Sequence, residues 1–219
     1  MSERANETWR DRELLRSWRA GDARAADILF RRYEPRLWKF LHTKIPEHDI
    51  PDVIQLIWEG VVRARDRLEP EPTPERDDAR DDADDDEDED DDEERRAAVR
   101  VSFRAYLYGI ARRRLYRYYR GRTRRGGAAF DPQISRLIDV APSVSKVVAK
   151  RARERRLVEA TQRLPLDLQV LLEMHYVADL SCTEMARVCE LPVGTVKSRL
   201  RRAKRQLEEL LESAPSAPL

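Results

Sequence analysis

Apolar residues recur at intervals of three and four through most of the 219-residue chain, and strand-like alternation is nearly absent. The first segment, through "RSWRAGD", predicts a short helix stopped at Gly21. Asp22 then stands as N-cap of "ARAADILFRRYEPRLWKFLHTKI", whose stripe is Ala26, Leu29, Phe30, Tyr33, Leu37, Phe40 and Leu41. Pro35 lacks an N–H and predicts a bend or break in that helix. "PEHDIP" reads as a turn. The next helix, "DVIQLIWEGVVRARDRL", sets Val53, Ile57, Val61, Ala64 and Leu68 on one face and Asp52, Gln55, Leu56 and Glu59 on the other.

The periodicity stops at "EPEPTPE" and an acidic tract. Prolines, repeated like charge and no apolar residue larger than alanine predict a disordered loop over about 69–98. It resumes in "FRAYLYGIARRRLYRYYR", where Phe103, Leu107, Ile110, Ala111, Leu115 and Tyr118 are assigned to the core. Arg113, Tyr116, Arg117 and Arg120 share another face at i, i+3, i+4 and i+7. "GRTRRGGAAFDPQ" reads as a breaker. The expected organisation is all-α: a helical domain over 8–125 with the acidic insertion, a flexible linker over 126–150, a second helical domain over 151–212, and a frayed tail over 213–219.

Charge changes this picture. The formal net charge is +1, but Glu75–Glu94 holds 16 acids against 2 arginines, a net of −14, which leaves the other 199 residues at +15. Clustered arginine and tyrosine on a basic protein point to nucleic acid. No apolar run is long enough to span a bilayer, and the N-terminus lacks the apolar core of a signal peptide, so a cytoplasmic protein without membrane insertion is expected. Cys182 and Cys189 do not have zinc-knuckle spacing and His42, His48 and His175 are scattered, so no metal site and no cofactor is assigned. Seven glycines supply neither a phosphate loop nor a nucleophile elbow, and no catalytic residue is assigned.

Two motifs carry the functional reading. In "LSCTEMARVCELPVGTVKSRLRRAKRQLEELL", Ser181 and Glu184 form a capping box that opens a helix through about Cys189. "ELPV" turns the chain. A second helix from about Gly194 sets Val196, Leu200, Ala203, Leu207 and Leu210 on one face, and no acid stands between Thr195 and Gln206. That is the helix-turn-helix plan, in which the second helix enters the major groove. The other motif is the Arg/Tyr helix: arginines neutralise phosphates and tyrosines stack on unpaired bases, a combination suited to DNA being opened. Tyr116 is assigned outward.

With these motifs the chain resembles an extracytoplasmic-function (ECF) sigma factor of the sigma-70 family of bacterial initiation factors. "RAGDARAADILFRRYEPRLWKF" is similar to the family's first conserved helix. "DIPDVIQLIWEGVVRA" resembles the segment that docks on the beta-prime clamp helices of RNA polymerase. "SFRAYLYGIARRRLYRYYR" resembles the helix that melts and reads the −10 element, and "LPLDLQVLLEMHYVADLSCTEMARVCELPVGTVKSRLRRAKRQL" resembles the domain that reads the −35 element and sits on the beta flap. The resemblance implies core-polymerase contacts at Asp52, Gln55 and Trp58. It implies −10 contacts at Arg113, Tyr116, Arg117 and Arg120, and −35 contacts at Thr195, Lys197, Ser198 and Arg201, with Arg199 and Arg202 near phosphates. Its implied partners are core RNA polymerase and promoter DNA, with an anti-sigma factor left open. Leu56 departs from the pattern, standing where an acid is usual after the glutamine.

The acidic tract interrupts the loop before the −10 helix. It reads either as a DNA mimic that gates the basic helix or as an inert solvated loop, and long insertions cost little stability. The rival to an initiation factor is a free-standing helix-turn-helix regulator that binds duplex DNA without polymerase. The Arg/Tyr helix and the core-docking segment favour the first, since a simple regulator needs neither.

Overall fold

A computed structural model describes residues 3–67, 102–126, 131–133 and 152–213 of the chain. The N-terminal unit is built from α1 (Glu3–Arg19), α2 (Ala23–His42), α3 (Ile50–Ala64) and α4 (Phe103–Gly126), with single 3₁₀ turns at Glu47–Asp49 and Arg65–Arg67. The C-terminal unit holds α5 (Ala152–Gln162), α6 (Leu166–Tyr176), α7 (Cys182–Cys189) and α8 (Val193–Ser213). The acidic tract, Leu68 and most of the linker lie outside the described residues.

Local chemistry starts and stops these helices. Gly21 takes φ +102°, a conformation open to glycine at little cost, and ends the turn after α1. Asp22 accepts from the Arg24 backbone N–H at 2.9 Å and opens α2. Pro35 does not break α2, which runs on to His42. Its ring is on the exposed side, while Leu29, Tyr33, Leu37 and Leu41 are wholly buried on the other. Burying each such side chain contributes about 1.5–3 kcal/mol, together more than the roughly 3 kcal/mol a helical proline costs.

Ser102 opens α4, its hydroxyl accepting from the Ala105 N–H at 3.2 Å. The helix passes through Gly121 instead of stopping there, reaching Gly126. One glycine costs a helix only about 1 kcal/mol, and Arg122 ties this end down: it donates to the Tyr118 hydroxyl at 3.0 Å and pairs with Asp49 at 3.6 Å. Gly60 lets α3 approach α4 closely, since a Cβ there would sit 3.0 Å from the Ile110 Cγ2 methyl.

A single apolar core runs through both units, from Leu15, Trp18 and Tyr33 through Leu107, Tyr108 and Leu115 to Leu171, Met185 and Leu200. Helix α4 is the shared element, packed on α1 and α3 and also on α7.

Candidate nucleic-acid interface

The helix-turn-helix begins with the capping box. The Ser181 hydroxyl accepts from the Glu184 N–H at 3.2 Å, and the Glu184 carboxylate accepts from the Ser181 N–H at 2.9 Å. Helix α7 ends at Glu190, which adopts the left-handed conformation at φ 58°. The Leu191 N–H then bonds the Ala186 carbonyl at 3.0 Å, the six-to-one bond of a Schellman cap. This turn seats α8 by Val196, Leu200 and Ala203, all buried. Lys197, Ser198, Arg201 and Arg202 are exposed on its other side, and Thr195 is half-buried.

Arg199 is placed differently. It is half-buried and pairs with Asp167 of α6 at 3.2 Å, so its guanidinium is drawn into the protein body. Asp167 is itself buried, and burial pushes its carboxyl up from the ordinary range, against the opposing pull of Arg199.

On α4, Arg113, Arg117 and Arg120 are exposed. The tyrosines reverse the expectation from periodicity. Tyr116 is only 7 % exposed, with the Arg112 guanidinium carbon 4.8 Å from its ring centroid. Tyr118 is the half-exposed one, donating to the Asp49 carboxylate. The reason is tertiary: the face that carries Tyr116 meets the C-terminal unit, where Asp167 and Cys189 act on the same Arg112–Tyr116 pair.

Burial pushes the Tyr116 hydroxyl up to about 12. Burial, then the bond to Asp49, takes Tyr118 to about 12 as well, and burial raises Tyr119 further. Each folded-state value lies above the unfolded value near 10, so the folded chain keeps protons that the unfolded chain releases. The stability this gives is complete below pH about 10 and is lost as pH rises toward 12. Urea midpoints at pH 8 and pH 11 should therefore differ by about 1–3 kcal/mol in unfolding free energy, alkaline being weaker. Equal midpoints would mean that these hydroxyls are not held in the folded protein as described.

On α3, Asp52 and Gln55 are exposed and Trp58 is half-buried. Trp58 packs against Phe30 with centroids 4.3 Å apart and ring planes tilted by 44°, and Phe30 meets Trp18 edge-on at 5.5 Å. An open groove of about 400 Å³ lies here, lined by Phe30, Gln55, Trp58, Glu59, Val62 and Arg63. Leu56 and Val62 are exposed beside it, so Leu56 adds apolar surface where the family pattern has charge.

The family model for sigma-70 region 4 matches residues 154–207, the span of α5 through most of α8. The ECF RNA polymerase sigma-E factor of Haemophilus influenzae is 24 % identical over 210 residues, covering 92 % of this chain and 95 % of that one. Over nearly its whole length the chain is similar to sigma factors of the ECF type. The sigma-E factor of Escherichia coli K12 is similar at 23 % identity over the same length. Two solved structures share the all-α, two-domain fold of this chain. CnrH, in complex with the cytosolic domain of CnrY, aligns with a TM-score of 0.59 at 22 % identity, over 94 % of this chain and 99 % of that one. RpoE of Bartonella quintana, in complex with the anti-sigma factor NepR, aligns at 0.56 and 17 %, over 86 % and 98 %. The family consists of transcription initiation factors rather than catalysts.

Sequence reasoning missed Lys44, Arg112, Asp167 and Glu173. Lys44 is completely buried, and its ammonium meets the Glu173 carboxylate 129 positions away. Nothing in local periodicity marks such pairs.

Proposed function

We propose that this chain is an ECF-type sigma factor that binds core RNA polymerase, directs it to promoters and takes part in opening the DNA. The observation that carries this reading is helix α8, seated by an apolar stripe with Lys197, Ser198, Arg201 and Arg202 outward and no acid between Thr195 and Gln206. Base edges of the −35 element are assigned to Thr195, Lys197, Ser198 and Arg201, and phosphates to Arg202. Arg199 is proposed to reach DNA only on leaving Asp167. The −10 element is assigned to Arg113, Arg117 and Arg120, with Tyr116 joining once it is uncovered. The proposed domains follow the sequence boundaries, 8–125 and 151–212.

Core polymerase is proposed to dock on α3 through Asp52, Gln55 and the Trp58 groove, against the beta-prime clamp helices, with the C-terminal unit on the beta flap. Proteins of this fold have been solved with the cytosolic domain of CnrY and with the anti-sigma factor NepR, so an inhibitory protein partner is proposed too.

Co-elution with core polymerase followed by promoter-dependent transcription tests the reading. A free-standing regulator would bind duplex DNA yet neither co-elute nor support transcription. Asp52→Ala with Gln55→Ala should weaken core association while the far-ultraviolet spectrum stays native, because both side chains lie off the buried stripe. An unchanged affinity in a pull-down titration would remove α3 from the interface.

A further inference from the structure

Two neighbouring tyrosines of α4 are used in opposite ways. Tyr119 is committed to the interior: it is 1 % exposed, and its hydroxyl donates to the Lys44 carbonyl. Tyr118 spends only its hydroxyl inside, on the Asp49 carboxylate just before α3, and leaves its ring half-exposed. The ring is fixed all the same. Tyr119 meets it edge-on with centroids 5.3 Å apart. The Arg122 guanidinium carbon lies 5.5 Å from its centroid, and that guanidinium also donates to the Tyr118 hydroxyl at 3.0 Å. A hydroxyl needed only to tie α4 to a turn would serve with its ring buried, as that of Tyr119 does. Tyr118 instead presents an aromatic surface to solvent in one set orientation.

The surroundings of the ring are open and cationic. Arg114 and Arg122 stand four residues to either side of Tyr118, on the same row of the helix, and Gly121 stands one turn on. A Cβ at Gly121 would meet nothing within 4 Å, so this side of α4 is clear. Arg117 and Arg122 are exposed. Arg114 is half-buried; burial, then the like charges of Arg117 and Arg63, hold its guanidinium below its ordinary value. An anion among these cations relieves their repulsion. A fixed aromatic beside a row of guanidinia matches a single nucleic-acid strand, which offers both phosphates and unpaired bases. Tyr106 is the other half-exposed aromatic of α4 among the described residues, but the arginine on its turn, Arg104, is buried and faces Asp179 at 4.0 Å.

We infer that Tyr118, preset by Asp49 and Arg122, is the side chain of α4 on which an unpaired base stacks, with Arg114 and Arg117 taking the adjoining phosphates. Asp49 is a positioning residue, acting through the ring it holds. This rests on the DNA-opening role proposed for α4 and gives the aromatic contact to Tyr118, because Tyr116 is buried.

The test uses the full chain without polymerase. Two fluorescein-labelled oligonucleotides of about 15 positions separate stacking from charge, one of thymidines and one of abasic sites on the same phosphate backbone. The wild-type chain should prefer the thymidine strand by about fivefold or more. Tyr118→Ala should abolish that preference and leave affinity for the abasic strand unchanged, whereas a merely structural role would lower both affinities together. Tyr118→Phe should keep most of the preference, because the ring remains. Asp49→Ala loses a negative charge and should bind both strands more tightly, yet with a smaller ratio between them. Tyr118→Gln replaces Tyr118→Ala if the latter fails to fold. No preference in the wild-type chain, or a preference that survives loss of the ring, overturns the inference. An unchanged ratio in folded Asp49→Ala overturns the positioning role. None of these results touches the proposed sigma function, which stands or falls on promoter-dependent transcription by the wild-type chain with core polymerase.

Discussion

Replacing Asp11 by alanine should destabilise the protein by about 3–5 kcal/mol, the cost of breaking a buried ion pair from one side. Asp11 on α1 has a side chain only 4 % exposed; one carboxylate oxygen accepts from Arg32 and the other from the wholly buried Tyr33 hydroxyl, both on α2. Alanine removes the carboxylate to which both the guanidinium and the phenol donate. The loss would be a large part of the roughly 5–15 kcal/mol typical of a folded domain. Urea unfolding of Asp11→Ala measures it. Asp11→Asn should lose less, since an amide oxygen still accepts one bond. Tyr33→Phe combined with Asp11→Ala should cost less than the sum of the two, because the partners share one network. A loss below about 1 kcal/mol in Asp11→Ala would show that water replaces the carboxylate without penalty.

The second large effect is expected on DNA binding. Lys197→Ala and Arg201→Ala should each reduce affinity for a preferred −35 site by about 1–3 kcal/mol, roughly 5- to 150-fold, if the side chains contact base edges. Both are exposed on α8, which remains anchored by Val196, Leu200 and Ala203, so the fold should be unaffected. Competition binding against scrambled sites separates the two possible roles. A loss confined to the preferred site means base readout. Equal losses on all sequences, with a shallower salt dependence, would make these residues phosphate anchors and return specificity to other positions. Arg199→Ala should do less in the same assay, because its guanidinium is committed to Asp167 at 3.2 Å.

The amino-acid sequence by itself determined the elements that rest on local chemistry. Gly21, Asp22 and the Ser181–Glu184 box act within four residues of where they stand, so their helix ends were legible without a fold. The faces of α2, α3 and α8 were legible too, because a stripe at three- and four-residue spacing has only one side that can leave water. Pro35 and Gly121 misled in the same way. Each carries a local penalty of a few kcal/mol or less, and distant packing outweighed it.

Tertiary structure decided everything that depends on what covers a face. Helix α4 is apolar or aromatic over more than one side, so periodicity could place Tyr116 and Tyr118 on different faces but not say which face meets another unit. That was set by α7 and the start of α6, roughly fifty to eighty residues further on, and it made Tyr116 the buried one. Arg199 reads in the sequence as one more cation of a basic helix; only the approach of Asp167 turned it inward. Lys44 and Glu173 are ordinary charged residues in their local settings, and their burial exists only because two helical units close on each other. The physical reason is common to all three. Helical pattern reports the free energy of leaving water along one element, whereas pairing a buried charge requires a partner whose position the chain reaches only on folding.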